Sequence, residues 1–194
     1  MSGLNFTLTG ALETSRELGA MARKLPTFHK RAIGTLRRSL PTEARRSIQE
    51  EYNIKAGRVR QDLSVRNLSD GLRLTGHFKG IGLRNFAARQ TLKGVTSQIM
   101  KGKRSLDEGA FMAPLLGGGV QAVERGGEKR VMTRGNYQGK KRQPLHVLYG
   151  ATVAQMLRKG RRPERLRDFA RGVLAKDMDR QLKSLSTTRP SAGT

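Results

Sequence analysis

An α+β fold, with long amphipathic helices packed on a small antiparallel sheet and a long flexible Gly/basic loop, is what this 194-residue sequence predicts. Three observations carry that expectation. Apolar residues recur at helical spacing near both ends of the chain, over 28–52 and 166–185. Short alternating segments separated by turn residues such as Asp70-Gly71 lie between them. Residues 101–143 hold nine glycines and ten Lys or Arg, a composition poor at burying area. The length fits a single core, so one domain is expected over 1–187, with 188–194 as a disordered tail.

Taken in order, Leu4, Phe6 and Leu8 alternate with polar residues, the period of a half-buried strand over 4–9 that Gly10 ends. Residues 11–24 read as a helix with Leu12, Leu18, Met21 and Ala22 toward one side. Leu25-Pro26-Thr27 is expected to break it, because proline inside a helix lacks the required N–H. Phe28, Ala32, Leu36, Leu40, Ala44, Ile48 and Tyr52 then fall four apart. That spacing keeps one stripe inward while Arg31, Arg37, Arg38, Arg45 and Arg46 point elsewhere. Pro41 interrupts the stripe, which resumes in phase, so a long unit kinked at Pro41 is favoured over a second helix starting there.

A short helix is expected through Val59 and Leu63, then strand, turn and strand over 64–76, and another strand from Val95 to Met100. Residues 110–116 and 120–125 flank Gly117-Gly118-Gly119 as a hairpin, with Pro114 consigning the first arm to an edge or bulge. Residues 126–142 are expected as a mobile loop, with a further strand candidate at 130–133. Residues 144–150 lead into a helix over 151–159. After Gly160, Pro163 opens the clearest helix of the chain. Its expected buried face is Leu166, Phe169, Ala170, Val173, Leu174, Met178, Leu182 and Leu185. The expected core is therefore Leu166, Phe169, Val173 and Leu174, joined by Leu36, Leu40 and Ile48.

Charge is the strongest compositional signal. Against 15 Asp plus Glu stand 39 Lys plus Arg, a net charge of +24. Residues 1–97 carry 18 basic and 7 acidic residues, and 98–194 carry 21 and 8, so the excess pervades the chain rather than forming an arm. Arg outnumbers Lys 26 to 13, which favours bidentate pairing with phosphate or carboxylate. Self-repulsion of this size points to an anionic partner. The densest cluster is Arg158, Lys159, Arg161, Arg162, Arg165 and Arg167, six cations around the single Glu164 at a helix start. With Lys140, Lys141 and Arg142, these are the candidate contacts to an anion or partner, and Arg161 and Arg162 lead them.

Chemistry-bearing patterns are sparse. Cys is absent, excluding disulfides, a thiol nucleophile and thiolate zinc ligands. His29, His77 and His146 stand apart without metal-ligand spacing. The adjacent pair Glu50-Glu51 reads as balancing Arg45 and Arg46. No nucleophile elbow or phosphate-cradling loop occurs, so no catalytic, cofactor or metal residues are expected and the protein is read as no enzyme. Aromatics are not interleaved with the cations, so any nucleic-acid contact would be to backbone phosphates. No run approaches the ~20 apolar residues of a membrane span. The N-terminus lacks signal-peptide layout, and a soluble protein made inside the cell is expected.

Three stretches together resemble the phage minor tail protein Z family, the tail completion proteins of lambda-like long-tailed phages. They are Tyr52-Asn53-Ile54 after a long basic helix, Gly109-Ala110-Phe111 with its glycine turn and Val123-Glu124-Arg125, and Pro144-Leu145 followed by Leu148-Tyr149-Gly150. The resemblance implies a structural virion protein at the neck, assembled in the host cytoplasm and acting in head-tail joining and seating of the genome end. It further implies a homo-oligomeric, hexameric ring touching tail terminator, tail tube and head-tail connector proteins. Phage genomic DNA is a further expected partner through its phosphates, and a membrane is not. The rival expectation is a sequence-independent nucleic-acid-binding protein that contacts the phosphate backbone.

Overall fold

The computed structural model describes residues 11–69, 71–115, 119–131 and 138–187. The strand expected at 4–9, the centre of the glycine turn and the tail at 188–194 lie outside the described residues. The α+β class is observed. Helix α1 (Ala11–Glu51) is followed by α2 (Ala56–Gln61) and by the hairpin of β1 (Leu63–Asn67) and β2 (Leu72–Gly76). Then come β3 (Ile81–Gly82), a 3-10 turn (Leu83–Asn85), β4 (Arg89–Gln90), β5 (Gly94–Ser97) and β6 (Ser105–Glu108). Strands β7 (Phe111–Leu115), β8 (Gly119–Arg125), β9 (Arg130–Val131), β10 (Lys141–Arg142), β11 (Leu145–Val147) and β12 (Tyr149–Gly150) precede α3 (Val153–Arg158) and α4 (Arg162–Thr187).

Instead of one sheet there are several small antiparallel ones. Strands β4-β5-β6 and β11-β8-β7 form three-stranded sheets, and β1-β2, β3-β12 and β9-β10 form two-stranded ladders. The hairpin read from the glycine turn is β7-β8, with Phe111 opposite Val123 and Pro114 opposite Val120. Strand β7 lies at the edge of its sheet, where a proline removes no ladder hydrogen bond to a further neighbour. Leu63 begins β1 rather than continuing α2, which ends at Gln61. Of the segment expected as a mobile loop, the described ends pair as β9 and β10, Arg130 opposite Arg142, while 132–137 lie outside the described residues.

The largest departure is α1. It runs without a break through Pro26, where the sequence leads to a break, and it continues through Pro41 as the long unit that the in-phase stripe leads to. Each proline removes a backbone donor, a cost of ~3 kcal/mol or more in a helix interior. Burial on both sides of Pro41 offsets that cost, since Phe28, Ala32, Leu36, Leu40, Ala44 and Ile48 are all buried. Side-chain hydroxyls add local bonds, Thr35 Oγ1 donating to Arg31 O at 3.3 Å and Ser39 Oγ to Thr35 O at 3.2 Å.

Within the span expected as one domain the chain forms two compact units. Residues Met1–Ser39 with Asp168–Thr194 form the first. In it Phe28, Ala32 and Leu36 are buried, and Gln181 Nε2 donates to Phe28 O at 3.2 Å, joining the two helical segments. Phe169, Val173 and Leu174, expected in the core, are half-buried, and Leu182 is exposed. The apolar spacing is helical, but a unit built from two helical stretches covers only part of each helix's surface, so these side chains stay partly in water.

Residues Leu40–Arg167 form the second unit, which holds the main core. Ile48, Tyr52, Ile54, Val59, Ile81, Leu83, Phe86, Val95, Ala110, Ala122, Val153 and Met156 pack as one buried cluster. Leu40 and Leu166 are buried in this unit too, as expected. Phe86, fully buried, stands against Gly150, where an added β-carbon would fall 2.6 Å from the ring. Gly94 is equally constrained, because a β-carbon there would collide with the Asp107 carbonyl across the β5-β6 pair.

Candidate functional site

The end of α1 organises the second unit. Tyr52 closes the helix and makes an isolated antiparallel bridge to Met100. Asn53 N donates to Ile99 O at 3.0 Å, its side chain donates to Gln98 Oε1 at 3.3 Å, and Lys101 N donates to Glu51 O at 2.8 Å. Residues 98–101 therefore supply a donor for a terminal carbonyl of the helix and acceptors for the Asn53 groups just beyond it. Gln49 Nε2 donates to Ile54 O at 3.0 Å and fixes the exit of the chain.

Onto this end folds the α3-α4 turn, reversed at Gly160, which adopts the left-handed φ of +59°. The turn carries the basic cluster read from sequence, and the structure splits it in two. Arg158, Arg161 and Arg167 are exposed. Lys159, Arg162 and Arg165 turn toward α1. Lys159 Nζ lies 3.2 Å from Glu51 Oε2 and 5.3 Å from the Tyr52 ring. Arg165 Nη1 lies 3.5 Å from Glu50 Oε2, and its other amino group donates to Ser47 Oγ at 3.4 Å.

Arg162 corrects the expectation most sharply. It is 1% exposed, so it is no surface contact for an outside anion. Its Nε donates to Ser47 Oγ at 3.0 Å, one Nη donates to Met156 O, and the other donates to Glu51 Oε1 at 2.8 Å. Three donors of one planar fork are thereby satisfied, which is what a buried guanidinium requires. The Glu50-Glu51 pair consequently balances α4 and the α3-α4 turn rather than Arg45 and Arg46, while Arg46 pairs with Glu43 at 3.3 Å. Lys159's hydrogen bond holds the Glu51 carboxyl below the usual glutamate range. Partial burial opposes that shift, and the charges of Arg162, Lys159 and Arg165 reinforce it.

The other basic candidates stand on a different element. Lys140 precedes β10, Lys141 and Arg142 form it, and Arg142 is half-buried. The remaining motif residues are junctions of the fold. Phe111 lies under the Arg125 guanidinium at 5.5 Å. Leu148 N donates to Ala122 O at 2.9 Å, and Leu148 O accepts from Leu83 N at 3.0 Å. Tyr149, in contrast, is 61% exposed.

No family model, curated protein or solved structure matches the chain. The chemistry must be read from the residues themselves. His29, His77 and His146 are all exposed, and among the described residues no group of three His, Asp or Glu is placed to hold a metal. Among the described residues, no helix is long and apolar enough to cross a membrane.

A cleft of about 300 Å³ opens on the side of α1 away from its apolar stripe. Thr42, Arg45, Arg46, Gln49, Glu50 and Lys101 line it. Sequence reading placed Arg45 and Arg46 off the buried stripe but gave no sign of the cleft. The detectable signal was the i, i+3, i+4, i+7 set of 42, 45, 46 and 49 on one helix face. Lys101 arrives only through the backbone bonds that tie 98–101 to the helix end.

Proposed function

We propose that the protein is a structural, non-enzymatic virion component, a tail completion protein acting at the head-proximal end of a phage tail. In this reading it joins head to tail and helps seat the genome end, as a ring among tail terminator, tail tube and connector subunits. One observation carries it: the motif residues behind the resemblance are structural junctions. Tyr52 bridges to Met100, Phe111 pairs with Val123, and Leu148 joins Ala122 to Leu83. Exposed cations on one unit, such as Arg60, Arg66, Arg73, Arg158, Arg161 and Arg167, support a surface that meets an anionic neighbour.

The test is composition and assembly. The protein should be present in purified virions and isolated tails, and Arg161→Glu with Arg167→Glu should block head-tail joining while leaving the fold intact. Absence from both particles removes the reading. The same exposed cations favour the second reading, a sequence-independent binder of nucleic-acid backbone. That reading expects duplex binding whose affinity falls with salt at a log-log slope of ~0.9 per phosphate neutralised. No duplex binding by the isolated protein at ~50 mM salt eliminates it, since weak screening at that ionic strength favours such contacts.

A further inference from the structure

We infer that the cleft lined by Thr42, Arg45, Arg46, Gln49, Glu50 and Lys101 binds a phosphate group. Arg45 is half-buried, yet among the described residues it has neither an ion pair nor a hydrogen bond. A guanidinium partly withdrawn from water with no counter-charge is costly unless an anion completes it. Its neighbours point to the same chemistry. Arg46 shares its charge with Glu43 at 3.3 Å through a single nitrogen, leaving the rest of a five-donor fork. Lys101 is exposed, and its position is fixed by its own N–H on Glu51 O.

The carboxylate in the lining does not cancel this charge. Glu50 faces Arg165 at 3.5 Å, so three cations meet one carboxylate that already has a partner outside the cleft. The excess of two positive charges matches a dianionic phosphate or two successive phosphodiesters. Gln49 forms part of the wall, one of its two amide hydrogens held by Ile54 O. Thr42 adds a hydroxyl. The negative end of the α1 dipole acts within the last turn, whereas Thr42, Arg45 and Arg46 lie more than a turn before Glu51. At about 300 Å³ the cleft is at the small end of ligand sites, enough for a phosphate and the group that bears it.

A small molecule's phosphate and a nucleic-acid backbone's present the same chemistry to this site. This site lies wholly within Leu40–Arg167 and does not depend on the virion reading. Isothermal titration of the full chain with inorganic pyrophosphate, and separately with a short DNA duplex, tests it at ~150 mM salt, where diffuse attraction is screened. Arg45→Gln and Lys101→Gln should each weaken binding of at least one probe by about tenfold or more, the value of a charge-assisted contact. Arg60→Gln, exposed on α2 and outside the cleft, should change either affinity by less than about twofold if contacts rather than net charge decide. Pyrophosphate sensitivity alone identifies a small ligand, and duplex sensitivity identifies a backbone. Absence of binding to both probes, or equal weakening by Arg60→Gln, overturns the proposal, as does preference for a polyglutamate peptide. Melting curves check folding, and because Lys101 is exposed its variant decides the matter if Arg45→Gln does not fold.

Discussion

Replacing Arg162 by Met separates the two roles that a basic residue at a helix start can have. Met keeps the aliphatic stem and much of the volume, so the change removes hydrogen bonds and charge without opening a large cavity. The wild-type side chain is 1% exposed and donates to Ser47 Oγ, Met156 O and Glu51 Oε1. Its loss strands the Met156 carbonyl at the end of α3, at ~1–3 kcal/mol for a buried group left unsatisfied, whereas the Ser47 hydroxyl keeps its bond from Arg165 at 3.4 Å. Glu51 is less affected, because its side chain is 38% exposed and Lys159 still reaches it. A total of about 1–3 kcal/mol follows, less than the cost of breaking a fully buried ion pair because Glu51 stays partly in water. For a chain of this size that corresponds to a fall in Tm of roughly 2–12 °C. Arg162→Lys should recover little, since an ammonium cannot serve three fixed acceptors as the planar fork does. Urea denaturation of Arg162→Met beside Arg161→Met is the assay, and the exposed neighbour should stay within ~0.5 kcal/mol of wild type. Equal stabilities of the two variants would refute the pin and return Arg162 to the surface.

Glu51 adds a pH dependence. Its folded-state pKa is depressed below 4.5, so its contribution is fully present above that value and is lost as pH falls through the lower folded value. The stability gap between wild type and Glu51→Gln should therefore be constant above pH ~5 and narrow on further acidification, read by urea melts across pH 3–7. Phe86→Ala should cost ~3–5 kcal/mol, against less than ~0.5 kcal/mol for Phe78→Ala, whose ring is 77% exposed, with both read from denaturant midpoints. Gly150→Ala presses a β-carbon to 2.6 Å from the buried Phe86 ring and should destabilise by ~1–3 kcal/mol, and coupling to Phe86→Ala in a double-mutant cycle should relieve most of it.

The charge pattern gains meaning from these positions. A count of +24 cannot distinguish a cation that faces water from one that holds the fold. The six-cation run at 158–167 contains both kinds. Arg158, Arg161 and Arg167 face outward, while Lys159, Arg162 and Arg165 reach Glu50 and Glu51 across more than a hundred residues of sequence. Arg162 alone is sealed from an outside partner, while Lys159 and Arg165 remain exposed beside the carboxylates they meet. Arg45 shows the reverse case, a cation half-hidden in a cleft whose one carboxylate, Glu50, pairs with Arg165 instead.

What depended on neighbours along the chain was legible without coordinates. The four-residue stripe from Phe28 to Tyr52, the β1-β2 and β7-β8 hairpins, the edge position of Pro114 and the helix opened near Pro163 all follow from local periodicity, turn chemistry and proline sterics. What depended on distant partners was not. Continuity of α1 through Pro26, where a break was expected, was not legible from local proline sterics, whereas continuity through Pro41 was read from the in-phase stripe that is buried on both sides of it. The burial of Arg162, the core role of Phe86 and the cleft that joins Arg45 to Lys101 each require residues far apart in sequence to meet in space. Periodicity assigns a side chain to a face, but only packing determines whether that face meets water, a carboxylate or an open cleft.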